Sequence, residues 1–471
     1  MNNVVERVKK LPSYGPELNE MWNKERESFS TKIIVLDDDP TGVQTVHGVP
    51  VFTDWDMDTI EEVFKEDRQL VFILTNSRAF SVSETTQVHK DIAQRIAQVS
   101  ERLGQPFLLV SRGDSTLRGH YPLETVTLKE TIEEQSTLCY DGEIILPFFK
   151  EGGRETIDDV HYVKQGEAYI PAGETEFAKD RMFGFSSSNL RDWIEEKTDG
   201  EFKRESVHSI SLDELRALNV DAITEKLMKL KNFEKLIVNA VTEDDVKVFS
   251  IALLRAIKLG KNYLFRTAAS FTKVIGDIAS KPYLEANDLL RENSPYGGLV
   301  VIGSHVQKST EQLNRLKEKK SLHFIEFSCN LVIDESLFNE EIKRVQHEIN
   351  EKVSKGTTTV VYTSRERLDL GEGRGEEELA LSVRISSAVT QFVNRCHPQP
   401  RFVIAKGGIT SSDVGTLGLK VKKAEVLGQI APGVPVWKTG KESVFPAIPY
   451  VIFPGNVGEV DTLKEVVEKL Q

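Results

Sequence analysis

The sequence is poor in the residues that mark several classes of protein. Its 471 residues include only three cysteines, Cys139, Cys329 and Cys396, and none of them belongs to a CxxC pair. That spacing excludes a cysteine-based zinc site and a disulfide framework, and it is typical of a protein in a reducing compartment. No stretch approaches the roughly 18 apolar residues of a membrane helix, and the N-terminal residues lack the apolar core of a signal peptide. We therefore expect a cytoplasmic protein that has no membrane partner.

Positive charge is also scarce. The chain carries 60 Lys and Arg residues against 73 Asp and Glu residues, which gives a formal net charge of −13. An acidic chain has no overall attraction for nucleic acid or for an anionic membrane. The expected partner is therefore a small molecule and not a nucleic acid, and an anionic one would have to be bound by local arginines.

Several familiar catalytic motifs are missing, among them the Walker A sequence GxxxxGK[ST], the dinucleotide motif GxGxxG, the zinc motif HExxH and the nucleophile elbow GxSxG. Short apolar runs alternate instead with helical patterns, and polar residues follow each run. This pattern predicts an α/β fold of two domains, each with a mostly parallel sheet flanked by helices. The predicted boundaries are an N-terminal arm at 1–30, a first domain at 31–285, a linker at 286–298 and a second domain at 299–471.

The most informative stretch begins with the apolar run Ile33–Leu36, which leads directly into Asp37, Asp38 and Asp39. A continuous β-branched run predicts a strand that is buried on both faces, and ligands bind where such strands end. Three adjacent carboxylates repel one another unless a cation or a proton lies among them. They could serve a hydroxyl substrate, a metal ion or a proton, and the simple alternative is an acidic turn that only ends a strand.

A second group of polar residues follows the predicted strand Phe107–Val110. It contains Arg112, Asp114, Ser115 and Arg118, and Arg78 follows a neighbouring strand. Arginine binds carboxylate or phosphate through two hydrogen bonds, whereas aspartate and hydroxyl groups suit the hydroxyls of a sugar. Together these residues predict a site for a sugar acid. A structural network of arginines and aspartates is the alternative.

The second half contains three glycine turns, each directly after an apolar run. They are Gly303-Ser304, then Gly407-Gly408-Ile409-Thr410, and Gly455-Asn456 with Gly458. Small residues after a strand leave backbone N–H groups open to a phosphate. Three such turns in one domain predict a nucleotide site, although glycine is common in any turn.

Other segments carry weaker predictions. Residues 151–185 interrupt the alternation of strands and helices, which is typical of a lid or substrate loop, with a two-stranded flap as the alternative. Ser83 or Thr85 is the predicted cap of a helix that ends at Leu103, and Ser309 or Thr310 is the predicted start of another helix. The pattern from Glu376 to Arg395 predicts the longest helix.

Taken together, these motifs resemble the four-carbon acid sugar kinases. The resemblance covers the chain from about Thr31 to its end and rests on six motifs in the family's order: Asp37-Asp38-Asp39-Pro40-Thr41-Gly42, Arg112 with Asp114 to Gly119, Glu174 to Ala178 with Asp180, Gly303-Ser304, Lys406-Gly407-Gly408-x-Thr410, and Phe453-Pro454-Gly455-Asn456-x-Gly458. It implies an N-terminal substrate domain, a C-terminal nucleotide domain and an active-site cleft between them. It also implies ATP- and Mg²⁺-dependent phosphorylation of the terminal hydroxyl of a tetronate or 3-oxo-tetronate in carbohydrate catabolism.

The resemblance assigns roles to particular residues. The turn Asp37–Asp39 and the loop Arg112–Arg118 would bind the acid sugar, and Ser304, the Gly407–Thr410 turn and the Gly455 turn would bind ATP. One of the three aspartates would accept the hydroxyl proton, with Asp38 as the first choice, and a neighbouring one would hold Mg²⁺. Which aspartate is the base and which is the metal ligand stays open. The expected partners are the acid sugar and a second copy of the chain.

Two rival functions use the same residues. Asp37-x-Asp39-x-Thr41 also matches the opening motif of the haloacid-dehalogenase phosphatases, but the GDxxxD-like motif of that family fails because Arg118 stands at its second acidic position, counted from Gly113. That reading also leaves the second domain unexplained. A binding protein for sugar acids or nucleotides without catalysis is the other alternative, and a turnover assay distinguishes it.

Overall fold

The computed structural model describes residues 2–289, 294–365 and 375–471. The strands, numbered in chain order, are β1 Lys32–Asp37, β2 Val49–Phe52, β3 Leu70–Leu74, β4 Phe107–Arg112, β5 Gly142–Leu146, β6 Arg154–Ile157, β7 Val160–Gln165, β8 Ala168–Pro171, β9 His208–Ile210, β10 Glu234–Val238, β11 Tyr263–Thr267, β12 Leu299–Ile302, β13 His323–Phe327, β14 Thr359–Thr363, β15 Val403–Lys406, β16 Lys423–Ala431, β17 Val434–Thr439 and β18 Pro449–Phe453.

The helices are α1 Asn2–Lys9, α2 Glu17–Glu27, α3 Met57–Lys65, α4 Val82–Leu103, α5 Leu123–Gln135, α6 Leu190–Lys197, α7 Leu212–Arg216, α8 Val220–Lys229, α9 Glu243–Lys258, α10 Ala269–Ile275, α11 Ala286–Leu289, α12 Gln307–Leu316, α13 Glu335–Ser354, α14 Gly375–Asn394, α15 Gly408–Asp413 and α16 Thr462–Lys469. Among the described residues, no helix is long and apolar enough to cross a membrane.

The chain divides into two compact units. The first comprises Met1–Thr45 with Asp54–Ala279, and the second comprises Val46–Thr53 with Ser280–Gln471. Each contains a large sheet flanked by helices, which confirms the predicted α/β class. The predicted domain boundaries stay predictions, and residues 290–293 of the predicted linker lie outside the described residues.

The sheet of the first unit has the strand order β3-β1-β4-β11-β5-β10-β9, and all of its neighbouring strands are parallel. Strand β1 is buried along its whole length between β3 and β4, which explains its uninterrupted apolar sequence. The last residue of β1, Asp37, lies in register with Leu74 and Arg112. The polar residues that follow these strands therefore meet at one edge of the sheet.

The second unit's sheet combines both strand directions. Strands β13-β14-β12-β15-β18 are parallel, and β17, β16 and β2 continue the sheet in antiparallel pairs. Strand β2 comes from the first half of the sequence. Its register places Val51 opposite Ala424, so this short apolar run pairs with a strand more than three hundred residues further along the chain.

Residues 151–185 form a small antiparallel sheet of three strands in the order β6-β7-β8. The alternative of a two-stranded flap is therefore wrong. The apolar face of α1, with Val4, Val5 and Val8, packs against a cluster that includes Ile157 and Tyr169 of this sheet.

Three details of the helices differ from the sequence predictions. Helix α4 begins one residue before Ser83 and is capped by Ser81, whose side chain and Glu84 form a reciprocal capping box. Helix α12 begins at Gln307, before Ser309. Among the described residues, helix α4 has 22 residues against 20 in α14, so the prediction that the pattern from Glu376 gives the longest helix is wrong.

Candidate functional site

The acidic turn lies at the carboxyl end of β1, and it is closely packed. Asp37 and Asp38 are buried, and Asp39 is partly exposed. A Cβ atom at Gly42 would overlap the Asp37 carboxylate, so the turn can close over that group only because residue 42 is glycine. The backbone N–H of Thr41 donates to Asp39 Oδ1 at 2.8 Å.

Asp38 is paired with two arginines. Arg78 donates to both carboxylate oxygens, with Nη2 2.6 Å from Oδ1 and Nε 3.1 Å from Oδ2. Arg112 Nη1 approaches Oδ1 at 3.5 Å. Both carboxylate oxygens of Asp38 are therefore engaged by arginine within the protein.

Asp39 is also stabilised as an anion. Burial raises the pKa of its carboxyl group, but the charge of Arg78 and the hydrogen bonds from Thr41 outweigh that effect and leave the pKa below its usual value. Arg78 Nη1 lies 3.4 Å from Asp39 Oδ2.

Asp37 differs from its two neighbours. Its Oδ1 accepts from Arg112 Nη1 at 3.3 Å, whereas its Oδ2 is buried without a hydrogen-bond partner among the described residues. Burial raises the pKa of Asp37 to about 7, against the opposing charge of Arg112 and with the help of the Asp38 and Asp39 charges. This carboxyl group can therefore gain or lose a proton near neutral pH.

The loop that follows β4 brings the second group of predicted residues to the same sheet edge. Arg118 Nε donates to Asp114 Oδ2 at 2.8 Å, and Arg78 Nη1 lies 4.0 Å from Asp114 Oδ1. Burial alone would raise the pKa of Asp114, but Arg78 and Arg118 hold it far below its usual value. Ser115 is buried, and its carbonyl accepts from His161 Nε2 at 2.8 Å. Arg78, Arg112, Asp114, Ser115 and Arg118 thus form one cluster with the acidic turn.

The small sheet β6-β7-β8 is attached to this loop. The buried imidazole of His161 donates to the Ser115 carbonyl and accepts from Thr156 Oγ1 at 2.9 Å, and burial lowers its pKa to about 4. Arg118 Nη1 lies 3.6 Å from Asp180 Oδ2, and its guanidinium carbon lies 5.1 Å from the centre of the Phe177 ring. The segment is therefore attached to the cluster that these residues form with the acidic turn.

The glycine turns of the second unit also converge. A Cβ atom at Gly303 would overlap Thr410 Oγ1, and one at Gly407 would lie 2.9 Å from Ser304 Cβ. Gly407 also has a φ of +121°, which other residues rarely adopt. Ser309 Oγ donates to Ser304 Oγ at 3.0 Å and to the Gly455 carbonyl at 3.1 Å. Residues from all three turns therefore lie within contact distance of one another.

The remaining predicted nucleotide residues lie around this group. Gly408 has open space where a Cβ atom would be, and the side chain of Ile409 is 71% exposed. Asn456 is exposed. Gly458 has a φ of +82°, and a Cβ atom there would lie 2.8 Å from Thr462 Cβ at the start of α16.

Residues 33–275 match the model of a sugar-binding N-terminal domain, and residues 299–463 match that of a nucleotide-binding C-terminal domain. This pair of domains is the architecture of the four-carbon acid sugar kinases. The chain belongs to that family. No curated protein matches the sequence.

Two solved structures share the fold of this acid sugar kinase family member. A Haemophilus influenzae protein of the DUF1537 family is 16% identical with a TM-score of 0.62, and the alignment covers 93% of this chain and 100% of the other. A Salmonella typhimurium LT2 protein, described as a "putative tRNA synthase", is 14% identical with a TM-score of 0.68, and the alignment covers 93% and 98% of the two chains. At these identities the similarity shows the fold alone.

A buried ion pair of this acid sugar kinase family member, between Arg266 and Glu124, was not predicted from the sequence. Arg266, near the end of β11, pairs with Glu124 through Nη1, which also donates to Ser111 Oγ at 3.0 Å. A Cβ atom at Gly119 would lie 2.7 Å from Arg266 Nη2. The sequence signal was an arginine at a strand end, which did not reveal that its partner lies in α5.

Two cations of the nucleotide-binding unit were also missed. Lys406 is fully buried, and its Nζ donates to the carbonyls of Pro454 at 3.1 Å and Gly455 at 3.4 Å. Burial lowers the pKa of Lys406 to about 7. Arg365 Nη2 donates to the Ser304 carbonyl at 2.6 Å. Both side chains hold glycine turns in place.

The family implies Mg²⁺, and the residues present fit an ion that is shared with a ligand. Among the described residues, no group of three or more His, Cys, Asp or Glu side chains could enclose a metal ion. The acidic turn nevertheless supplies carboxylate oxygens, including the unpaired Oδ2 of Asp37. Mg²⁺ in phosphoryl-transfer enzymes is commonly held by one or two carboxylates together with phosphate and water.

Proposed function

We propose that this protein is an ATP-dependent kinase that phosphorylates the terminal hydroxyl of a four-carbon acid sugar, a tetronate or 3-oxo-tetronate, in carbohydrate catabolism. The observation that carries the proposal is the carboxyl group of Asp37. It is buried beside Arg112, it has an unpaired oxygen and a pKa of about 7, and it lies in a sugar-binding domain. The same chain contains a nucleotide-binding domain.

Asp37 is the proposed general base. A base is most effective when its pKa lies near the working pH, because it is then both unprotonated and able to hold a proton. Asp38, the first choice from the sequence, is bound by Arg78 and Arg112, and this pairing supports Asp37 in its place. In the proposed step Asp37 takes the hydroxyl proton, the substrate oxygen bonds to the γ-phosphorus, and the bond from that phosphorus to ADP breaks.

The arginines supply charge neutralisation, since phosphoryl transfer depends on alignment and electrostatic stabilisation more than on covalent chemistry. Arg112 keeps Asp37 and Asp38 together despite their like charges. Asp114 and Ser115 are proposed to contact the sugar hydroxyls, and Arg118 and Arg78 hold Asp114 in its charged form.

ATP is proposed to bind at Ser304, the Gly407–Thr410 turn and the Gly455–Gly458 turn. Support comes from the convergence of these turns and from the open space in front of Gly408. Mg²⁺ bound with ATP would neutralise charge on the β- and γ-phosphates. Asp39 is its proposed protein ligand because it is the most exposed of the three aspartates.

The test is ADP release from Mg·ATP with a panel of four- to six-carbon sugar acids, with the uncharged parent sugars as controls. We expect turnover with a four-carbon acid and none with its parent. ADP release that is independent of any acid, or no release at all, would contradict the kinase proposal. We further propose that the protein is a cytoplasmic homodimer, which light scattering would test against the chain mass of 53.0 kDa.

A further inference from the structure

A fourth arginine reaches the acid-sugar cluster from the small sheet. Arg154 is the first residue of β6, and its guanidinium carbon lies 5.6 Å from the centre of the Phe177 ring. Arg118 contacts the same ring at 5.1 Å. Burial lowers the pKa of Arg154. The negative charge of Asp114 raises that pKa, and the positive charge of Arg118 lowers it. Arg154 therefore belongs to the cluster at the end of β4, although it lies 36 residues beyond Arg118 in the sequence.

The other arginines of this cluster are already paired with carboxylates. Arg78 binds Asp38, and Arg112 approaches Asp37 and Asp38 while only 4% exposed. Arg118 is paired with Asp114, and Arg266, which lies outside this cluster, is paired with Glu124. Each of these guanidinium groups has its charge compensated within the protein.

Arg154 has no such partner. Within the described part of the chain, no carboxylate lies at ion-pair distance from it, and its Nη1 donates only to the backbone carbonyl of Gly152. Its Nε is buried without a hydrogen-bond partner. A partly buried arginine without an ion-pair partner is costly unless an anionic ligand completes it.

We propose that Arg154 binds the carboxylate of the acid sugar and makes the site select acids over neutral sugars. This inference rests on the proposed function. Arginine suits the role because its planar guanidinium can give two parallel hydrogen bonds to a carboxylate. The role assigned to Arg112 is then to hold the aspartates together, and Arg154 receives the substrate's charged end.

The structure holds Arg154 in a defined place. The hydrogen bond from His161 to the Ser115 carbonyl and the contact between Arg118 and Asp180 attach the small sheet to the loop that follows β4. The Phe177 ring supports the guanidinium group, which reduces the conformational freedom lost when a ligand binds.

The test compares Arg154→Ala and Arg154→Lys with the wild-type protein, using threonate and the neutral alditol threitol. Arg181→Ala is the matched control because it removes the same charge from an exposed arginine beside Asp180. For Arg154→Ala we expect kcat/KM with threonate to fall by about ten- to a hundred-fold, mainly through KM, since a charged hydrogen bond is worth about 1.5–3 kcal/mol. KM for ATP and any slow turnover of threitol should stay within about twofold of wild type. Added guanidinium ion or the lysine variant should restore part of the lost activity.

Three outcomes would overturn the inference: no difference between Arg154→Ala and Arg181→Ala, an equal loss with threonate and threitol, or no recovery with lysine or guanidinium. Titration of threonate in the absence of ATP separates this inference from the proposed function. Binding by wild type that is lost in Arg154→Ala, without turnover, would support the carboxylate site and contradict the kinase. Absence of binding of every four-carbon acid of the panel to wild type would overturn both.

Discussion

Three adjacent aspartates have three different states in this protein because each side chain has different neighbours. Asp38 is bound by Arg78 through two hydrogen bonds, Asp39 is bonded to Thr41, and Asp37 keeps a buried oxygen without a partner. The same residue type is therefore an ion-pair member, a turn stabiliser and a group that titrates near neutral pH. The state of each aspartate therefore depends on side chains that come from other segments of the chain, such as Arg78 and Arg112.

The role of Asp37 predicts a pH dependence. A base works only when it is unprotonated, so kcat/KM for the acid sugar should rise about tenfold per pH unit up to about pH 7 and level off above it. Asp37→Asn should lower kcat by about a hundred- to ten-thousand-fold and remove this dependence. Steady-state kinetics at a series of pH values from about 5 to about 9 would measure both effects.

Asp38→Asn is the matched comparison. It should lower activity by disturbing Arg78 but keep the rise in kcat/KM with pH, because Asp37 is still present. Wild-type turnover in Asp37→Asn, or loss of the pH dependence only in Asp38→Asn, would move the base back to Asp38.

At the scale of elements, adjacent glycines in one turn have separable functions. Gly407 has a left-handed backbone and lies close to Ser304, whereas a Cβ atom at Gly408 would meet nothing within 4 Å. Gly407→Ala should therefore destabilise the protein by about 1–3 kcal/mol and weaken ATP binding. Gly408→Ala should leave the Tm unchanged and still weaken ATP binding, because its methyl group would occupy the space proposed for phosphate.

Thermal unfolding and ATP titration of the two variants check this prediction. If Gly408→Ala binds ATP as the wild type does, the phosphates do not approach that turn.

The small sheet is attached through His161 to the loop that follows β4, and this attachment predicts that the free energy of unfolding depends on pH. Burial lowers the pKa of His161 from its ordinary value of 6.5 to about 4, so the folded protein binds this proton less readily than the unfolded chain does. The stability contributed by neutral His161 is present above pH 6.5 and is lost as the pH falls towards 4.

Urea unfolding of wild type and His161→Gln at pH 7 and pH 4 would measure this effect. The advantage of the wild type at pH 7 should shrink by about 3 kcal/mol at pH 4, because each pKa unit corresponds to about 1.4 kcal/mol. Comparing the two proteins at each pH cancels other titrating groups, Asp37 included. A difference that does not change with pH would contradict the prediction.

At the scale of the whole molecule, the charge balance limits the partners. With a net charge of −13, the chain has no general attraction for a polyanion. We expect fluorescence anisotropy with labelled tRNA at physiological salt to show a Kd weaker than about 100 μM, the weak limit of non-specific binding. Tighter, salt-dependent binding would indicate a basic surface that the proposed function does not use.

The sequence by itself determined the α/β class, the strand at Ile33–Leu36 and the position of the acidic turn after it. These features depend on local patterns: a β-branched run that must be buried, followed by residues that turn the chain. Because the strands of the first unit are parallel, it also predicted correctly that Asp37 and Arg112 would meet at one edge. Six motifs in order were enough to identify the family.

Only the tertiary structure decided which of these residues are paired and which remain available. The pairing of Arg78 with Asp38, of Arg266 with Glu124 and of His161 with Ser115 joins residues 40 to 142 positions apart. Likewise, β2 could not be assigned to the second sheet from its own four residues. The reason is physical: burial and charge pairing come from contacts between distant segments, and a pKa or an unpaired guanidinium exists only once those contacts have formed.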